Sequence, residues 1–212
     1  MRGRGLSRVY LILGIVVGVA GAVFARSRVA ETSTMGRELG GEESPLTDTY
    51  VSSYEIVSAF PHDPAAFTQG LTFDSEGNLY ESDGLYRHGR VRRVKARTGE
   101  TIGQPTIMSP RHFAEGIAVR PAEHSTRLLQ ITWKEQVALE YTLPDLQLLS
   151  NTPLAEPREG WGLEISRDGA MLYVTDGGTY LYHLNATAPH ERLAKLQVRR
   201  DRGWRSISAR FT

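Results

Sequence analysis

The chain of 212 residues contains no cysteine, and this absence excludes several kinds of chemistry. Without cysteine there is no disulfide, no thiol nucleophile, no cysteine–zinc cluster and no lipid-modified N-terminal cysteine. Acidic and basic residues nearly balance, with a formal net charge of +1. We therefore expect no broad basic surface and no nucleic-acid partner.

Strong metal-binding and phosphate-binding motifs are also missing. The six histidines are scattered without the tight spacing of a ligand cluster, and no glycine-rich phosphate loop is present. We therefore expect neither a metal ion nor a cofactor. What the chain does contain is 40% hydrophobic and 23% charged residues, which suffices for the buried core of one ordinary domain.

The first 25 residues form a segment of their own. Several arginines precede an uncharged apolar run from Tyr10 to Ala25. This pattern predicts an apolar helix over residues 1–25, which is either a cleaved signal peptide or an uncleaved membrane anchor. The run is short for a spanning helix, which needs roughly 20 apolar residues, but Arg26 and Arg28 follow at once and suit an anchor. Either alternative puts the rest of the chain outside the cytoplasm, periplasmic or secreted, after a polar, flexible linker over residues 26–49.

A short pattern recurs at a constant interval. "FTQGL" begins at Phe67, "FAEGI" at Phe113 and the more divergent "EGWGL" at Glu159, so the central glycines are 46 residues apart. A period of this length is typical of propeller blades or helical arrays. The units contain short β-rich runs separated by glycine-containing turns and no long amphipathic helix, which favours blades.

The predicted fold is therefore all-β, an incomplete β-propeller of about three four-stranded antiparallel blades over residues 50–190. Residues 50–60 form an extra strand ahead of the first blade. Residues 191–212 are arginine-rich and lack blade patterning, so we interpret them as an aberrant basic tail of a truncated or frame-disturbed propeller. The alternative is a natural basic tail on a three-unit sheet.

The residues just before the repeat glycines, Gln69, Glu115 and Trp161, occupy equivalent places in successive blades and are expected to converge. Phe67 and Phe113 lie two residues earlier, on the same face if the strands are regular. Aligning "YESD", "QITW" and "YVTD" places a third aromatic, Trp133, opposite Asp83 and Asp176.

Each of these residues also has a plain structural interpretation. Trp133 and Trp161 could be core aromatics, Glu115 a solvated or ion-paired carboxylate, and Gln69 a partner in a ladder hydrogen bond. The symmetric placement favours a pocket instead. Apolar surroundings would raise the pKa of Glu115, so that it takes and returns a proton near neutral pH.

Five ordered motifs then resemble a known family: "FPHDPAAFTQGL", "LYESDGLYRHGRVR", "FAEGIAV", "QITWKEQVALEYTL" and "EGWGLEISRDGAMLYVTDG". Over roughly residues 54–185 the chain is similar to the plant- and bacterial-type glutaminyl-peptide cyclotransferases, or glutaminyl cyclases. The resemblance implies a five-bladed β-propeller without metal. It also implies an acyltransferase that converts the N-terminal glutamine of peptides or proteins to pyroglutamate and releases ammonia.

The resemblance also implies roles for individual residues. Glu115 matches the catalytic glutamate, and the residues that match the substrate pocket are Phe67, Gln69, Phe113, Trp133 and Trp161. The family's "NELE"-, "WQTD"- and "GKLW"-like segments do not occur here, so little or no cyclisation is expected of these 212 residues alone. Two other functions stay open, a metal-dependent propeller lactonase or hydrolase and a non-catalytic binding propeller.

Overall fold

The computed structural model describes residues 13–18, 21–28, 53–121 and 126–198. The chain divides into two compact units, Met1–Pro64 and Ala65–Thr212. Within the described residues every regular element is a β-strand, and no helix is long and apolar enough to cross a membrane.

The first unit contains a three-stranded antiparallel sheet. Its strands are β1 (Leu13–Gly18), β2 (Gly21–Arg28) and β3 (Ser53–Pro61), and β2 lies in the middle. The prediction of an apolar helix over residues 1–25 is therefore wrong where the structure describes this segment. β-Branched residues such as Ile15, Val16 and Val17 lower helix propensity and suit strands. Glycines 18 and 21, which face each other across the β1–β2 pair, further weaken a helix.

β3 agrees with the extra strand predicted over residues 50–60. β2 extends three residues into the predicted linker, and the remainder of that linker, residues 29–49, lies outside the described residues.

The second unit contains three four-stranded antiparallel sheets, as the repeat predicts. Sheet 1 is formed by β4 (Thr68–Phe73), β5 (Leu79–Asp83), β6 (Arg90–Val94) and β7 (Thr101–Ile107). Sheet 2 is formed by β8 (Ala114–Arg120), β9 (Arg127–Thr132), β10 (Val137–Thr142) and β11 (Leu148–Pro153). Sheet 3 is formed by β12 (Leu163–Ile165), β13 (Met171–Thr175), β14 (Tyr180–Asn185) and β15 (Arg192–Gln197). In each sheet every strand pairs with the next along the chain.

β15 lies within residues 191–212, which the sequence analysis assigned to a basic tail. It pairs with β14 from Tyr180↔Gln197 to Leu184↔Arg192, so the third sheet extends past residue 190. An outer strand buries little surface, and five of its six residues are exposed. It therefore carries no alternation of apolar and polar residues that would reveal it. Residues 199–212 lie outside the described residues.

The repeat glycines lie where the first strand of one sheet meets the first strand of the next. A Cβ atom on Gly70 would lie 2.8 Å from the backbone nitrogen of Ile117. On Gly116 it would lie 2.4 Å from the backbone nitrogen of Leu163. The Gly116 N–H also donates a hydrogen bond of 2.8 Å to the carbonyl of Trp161. Because backbone meets backbone at these contacts, no larger residue fits, and this explains the spacing of the glycines.

Two apolar clusters fill the space between the sheets. Successive residues of β9 point to opposite faces, so Leu128 enters the cluster shared with Tyr80 and Val91 of sheet 1. Leu129 enters the cluster shared with Leu172 and Val174 of sheet 3. The central strands β9 and β10 of sheet 2 thus pack against sheet 1 on one face and against sheet 3 on the other.

A buried polar network crosses from sheet 1 to sheet 2. Gln130, fully buried, donates to the Ser82 hydroxyl at 2.7 Å and accepts from the Tyr141 hydroxyl at 2.8 Å. In sheet 1, the buried carboxylate of Glu81 forms an ion pair of 2.7 Å with Arg92. Pairing these groups is what makes their burial tolerable, since an unpaired buried charge is strongly destabilising.

Candidate active site

Glu115 occupies an irregular position of β8. Ala114 faces Thr132 and Ile117 faces Gln130, so Glu115 and Gly116 together oppose the single residue between those partners. This is a β-bulge, a device that redirects a side chain and is common beside active sites. The Glu115 side chain is buried, with 8% of its surface exposed.

Gln69 occupies the equivalent bulge of sheet 1. Thr68 faces Asp83 and Gly70 faces Ser82, which leaves Gln69 as the extra residue. The expectation that Phe67 and Phe113 share a face with Gln69 and Glu115 depended on regular strands, and both strands are irregular at these positions. A bulge inserts one residue without any signature in composition, so simple alternation cannot reveal which face these side chains take.

Gly84 marks the point where three predicted pocket residues meet. A Cβ atom on Gly84 would lie 2.9 Å from Gln69 Cγ, 3.0 Å from Phe113 Cε1 and 3.2 Å from Phe67 Cδ1. The Phe67 and Phe113 rings also contact each other edge to face, with centroids 6.2 Å apart. Phe67, Gln69 and Phe113 therefore come together as predicted, around a glycine that leaves room for them.

The cross-strand register shows which residues are equivalent in the three sheets. The pairs that directly follow the repeat glycines are Leu71–Glu81, Ile117–Gln130 and Leu163–Val174. Gly84, Trp133 and Gly177 each lie three residues after the second member of their pair. These three residues are therefore equivalent. The alignment of Trp133 with Asp83 and Asp176 is therefore wrong by one residue. Short β-rich motifs do not resolve a slip of this size, whereas hydrogen-bonded register does.

Trp133 continues the aromatic surface. Its ring centroid lies 5.6 Å from that of Phe113. Its indole nitrogen donates to Glu159 Oε2 at 3.1 Å, and the Lys134 ammonium lies 3.7 Å above its ring. The Lys134 ammonium also lies 3.6 Å from Glu159 Oε1. These contacts hold the indole in one orientation beside Phe113.

Trp161 reaches the site through its backbone. Its carbonyl accepts the hydrogen bond from Gly116, the residue after Glu115. Its ring packs on Gly177, where a Cβ atom would lie 3.1 Å from the indole and where the backbone φ is +70°. The side chain is 47% exposed. Trp161 is therefore not an ordinary core aromatic.

Two further residues, Glu135 and Tyr86, lie at the site without any signal in the repeat pattern. Glu135, in the turn between β9 and β10, accepts a hydrogen bond of 2.9 Å from the Tyr86 hydroxyl and one of 3.3 Å from the Phe113 backbone nitrogen. The Tyr86 ring packs edge to face on Phe113, with centroids 5.3 Å apart. Both residues lie inside motifs quoted above, but only contacts between distant segments identify them as neighbours of the site.

The electrostatics of Glu115 suit proton transfer. Burial, which penalises the charged form, is the larger cause that raises the pKa of Glu115, and the negative charge of Glu135 adds to it. The pKa rises from its ordinary 4.5 to about 7. At neutral pH the carboxyl group therefore exists in both forms and can accept or release a proton.

The described residues contain no group of three histidine, aspartate or glutamate side chains arranged to hold a metal ion.

Comparison with known proteins agrees with this geometry. The family model described as glutamine cyclotransferase matches residues 28–205. A glutaminyl-peptide cyclotransferase of Arabidopsis thaliana is 35% identical over 136 residues, which are 64% of this chain and 40% of that protein. The crystal structure of Myxococcus xanthus glutaminyl cyclase matches with a TM-score of 0.57 and 28% identity, covering 68% of this chain and 56% of that one. The chain thus spans less than two thirds of the length of either relative, and on the family match it belongs to the glutamine cyclotransferase family.

Proposed function

We propose that this chain is a glutaminyl-peptide cyclotransferase in which Glu115 relays a proton. Its substrates are peptides or proteins with an N-terminal glutamine, and its products are the pyroglutamyl chain and ammonia. The observation that carries the proposal is the buried carboxyl group of Glu115, which has a pKa of about 7 and lies in a β-bulge two residues after Phe113.

The reaction is an intramolecular acyl transfer. The substrate's α-amine nitrogen attacks its own γ-carboxamide carbon, so a nitrogen–carbon bond forms within the ring and the bond to the amide nitrogen breaks. The proton lost by the attacking amine passes to the Glu115 carboxylate and then to the departing nitrogen, which leaves as ammonia. No other reactant is consumed, and a group with a pKa near the working pH serves both transfers.

The surrounding side chains have roles that follow from their places. The rings of Phe67, Phe113 and Trp133 form an apolar wall against which the glutamine can fold back on itself. Holding that folded-back pose supplies much of the rate in an intramolecular reaction. The amide of Gln69, beside Phe113, provides a donor and an acceptor for the substrate's amine and carboxamide.

In this proposal the three sheets are successive blades of a β-propeller of the five-bladed type. Support comes from the equivalent bulges at Gln69 and Glu115, and from the repeat glycines that join the first strands. The first strands of blades surround the propeller axis, which is where such folds bind ligands.

We also propose that the protein acts outside the cytoplasm. The family match begins at residue 28, after the arginine-flanked apolar run, which supports a separate role for that run. Cell fractionation tests this directly, and protein found in the cytoplasm with an intact Met1 would contradict it.

The test of function compares Glu115→Gln with its parent, both extended by the segments that the longer relatives carry, because little or no cyclisation is expected of the 212 residues alone. The Gln variant keeps the shape and the hydrogen bonding of the side chain but carries no proton. General acid–base catalysis typically contributes about 10²–10⁴-fold, so acceleration over spontaneous cyclisation should fall by up to that factor. Peptide affinity, measured by calorimetry, should change far less, because the aromatic wall is intact.

Trp161→Ala is the matched binding variant. It removes an exposed aromatic face and leaves Glu115 in place, so it should weaken peptide binding while some Glu115-dependent cyclisation persists. If Glu115→Gln retains the parent rate, the carboxyl group is not the relay. If the parent binds peptide and never accelerates cyclisation, the site is a binding site and the proposed activity is wrong.

A further inference from the structure

Glu135 connects two sheets beside the site. It lies in the turn between β9 and β10 of sheet 2, and its Oε1 accepts the hydrogen bond of 2.9 Å from Tyr86, which lies on the β5–β6 loop of sheet 1. Its Oε2 accepts from the backbone nitrogen of Phe113, the residue two positions before Glu115. One carboxylate thus holds a loop of sheet 1 against the segment that carries the proton relay.

The loop that carries Tyr86 has an unusual backbone. Leu85 and Arg87, its two neighbours, have φ values of +78° and +70°. Residues other than glycine rarely adopt this left-handed region, and such conformations persist only where surrounding contacts hold them. The contacts that hold Tyr86 are the hydrogen bond to Glu135 and the edge-to-face packing on Phe113, with ring centroids 5.3 Å apart.

The other charged groups near β8 are less able to act on Glu115. Charged residues on the strands packed against β8 are Glu81 and Asp83 on β5, Arg127 on β9 and Glu164 on β12. Glu81 is paired with Arg92, and Asp83 is paired with Arg90. Arg127 lies at the opposite end of β9 from Thr132, the residue that pairs with Ala114 next to Glu115. Glu164 accepts a hydrogen bond from the backbone nitrogen of Ile165. Lys134 and Glu159, next to Trp133, lie within 3.6 Å of each other.

We propose that Glu135 is a positioning residue of this site: its carboxylate clamps Tyr86 to the Phe113 segment across two sheets and keeps a negative charge beside Glu115. The inference rests on the proposed function, in which Glu115 is the proton relay and Phe113 is part of the apolar wall. Two separable effects follow, one on the ionisation of Glu115 and one on the placement of the aromatic wall.

The ionisation effect has a definite sign. The ionised form of Glu115 accepts the first proton, so kcat/KM should rise with pH through the pKa of Glu115. Removing the negative charge in Glu135→Gln makes ionisation easier, so this rise should move to lower pH. The pKa of Glu115 should fall from about 7 toward 4.5 without reaching it, because burial, the larger cause of the shift, remains.

The placement effect is isolated by Tyr86→Phe. This variant keeps the charge of Glu135 and removes only the hydroxyl that binds it. The loss of one hydrogen bond corresponds to about a 2- to 10-fold change in an equilibrium constant such as that for substrate binding. We expect KM to rise by that factor. The pH at which kcat/KM increases should be the same as in the parent. Glu100→Gln, which removes an exposed carboxylate paired with Lys95, should change neither quantity.

A measurement without turnover separates this inference from the proposed function. Carbon-13 NMR titration of the Glu115 carboxyl group, assigned by its loss in Glu115→Gln, reports the pKa in the parent, in Glu135→Gln and in Tyr86→Phe. A lower pKa in Glu135→Gln and an unchanged one in Tyr86→Phe support the proposal even if no cyclisation is seen. An unchanged Glu115 titration in a folded Glu135→Gln overturns it.

The contact between Tyr86 and Glu135 can also be tested without the Glu135→Gln variant. The proposal therefore stays testable if Glu135→Gln does not fold. In Tyr86→Phe the backbone amide signal of Phe113 should shift, because its acceptor, Glu135, loses its second partner. An unmoved Phe113 amide together with an unchanged KM would show that the Tyr86–Glu135 contact positions nothing.

Discussion

Replacing Gly116 with alanine tests how tightly the first strands are joined. A Cβ atom there would lie 2.4 Å from the backbone nitrogen of Leu163 and 2.7 Å from the carbonyl oxygen of Trp161. Both are backbone atoms, so no side-chain rotation can relieve the clash. Sheets 2 and 3 must separate locally, and the hydrogen bond from Gly116 to Trp161 must lengthen or break.

The expected cost has two parts. Forcing an extra methyl group into a packed region costs typically about 1–3 kcal/mol, and the hydrogen bond contributes about 1 kcal/mol. Gly116→Ala should therefore destabilise the chain by about 2–4 kcal/mol, a large fraction of the roughly 5–15 kcal/mol of a typical domain. For a chain of this size that corresponds to a drop in Tm of roughly 4–16 °C.

The assay is urea and thermal unfolding followed by circular dichroism, with Gly77→Asn as the control. Gly77 has a positive φ, +84°, and a Cβ atom there would meet nothing within 4 Å. Asparagine tolerates that backbone region, so the control should lose less than about 1 kcal/mol. If Gly116→Ala is no less stable than the control, the close contact between the first strands does not exist as described.

Two further predictions concern buried charge. Glu115 ionises at about pH 7 in the folded chain and near 4.5 when unfolded, so the folded state binds the extra proton between these values and stability falls as pH rises from 4.5 to 7. Glu115→Gln should remove this loss of stability, so its Tm should exceed that of the parent at pH 8 but not at pH 4. Equal Tm values at pH 8 would contradict the raised pKa of Glu115. Arg92→Leu removes the positive charge that forms an ion pair with the buried carboxylate of Glu81 and should cost about 3–5 kcal/mol. The double variant Glu81→Leu with Arg92→Leu should recover most of this in urea unfolding, and a double variant as unstable as the single one would show that charge is not the cause.

Much of the second unit could be predicted from the sequence because the glycine period reflects a steric requirement. Gly70 and Gly116 lie where one first strand contacts the next, and only glycine fits. The same period led to Phe67, Gln69 and Phe113, which the structure brings together around Gly84.

What could not be predicted depends on register and on contacts between distant segments. The bulge at Glu115 adds one residue without changing composition, and the equivalence of Trp133 with Gly84 follows only from hydrogen-bonded pairing. The contact between Tyr86 and Glu135 joins residues 49 positions apart, which no local pattern encodes. Strand β15 was missed because an outer strand that buries so little needs no apolar alternation.

The most direct test of the proposed relay is a product assay with this chain extended by the segments that its longer relatives carry, because little or no cyclisation is expected of the 212 residues alone. A peptide beginning with glutamine is incubated with the parent chain or with Glu115→Gln, and ammonia release and the pyroglutamyl product are followed by mass spectrometry. The same peptide with an acetylated α-amine is the control, since it cannot cyclise by this route. We expect the extended chain to cyclise the peptide above the spontaneous rate, and this cyclisation should require both a free amine and Glu115. Equal rates with the extended parent and with its Glu115→Gln variant would contradict the proposed relay.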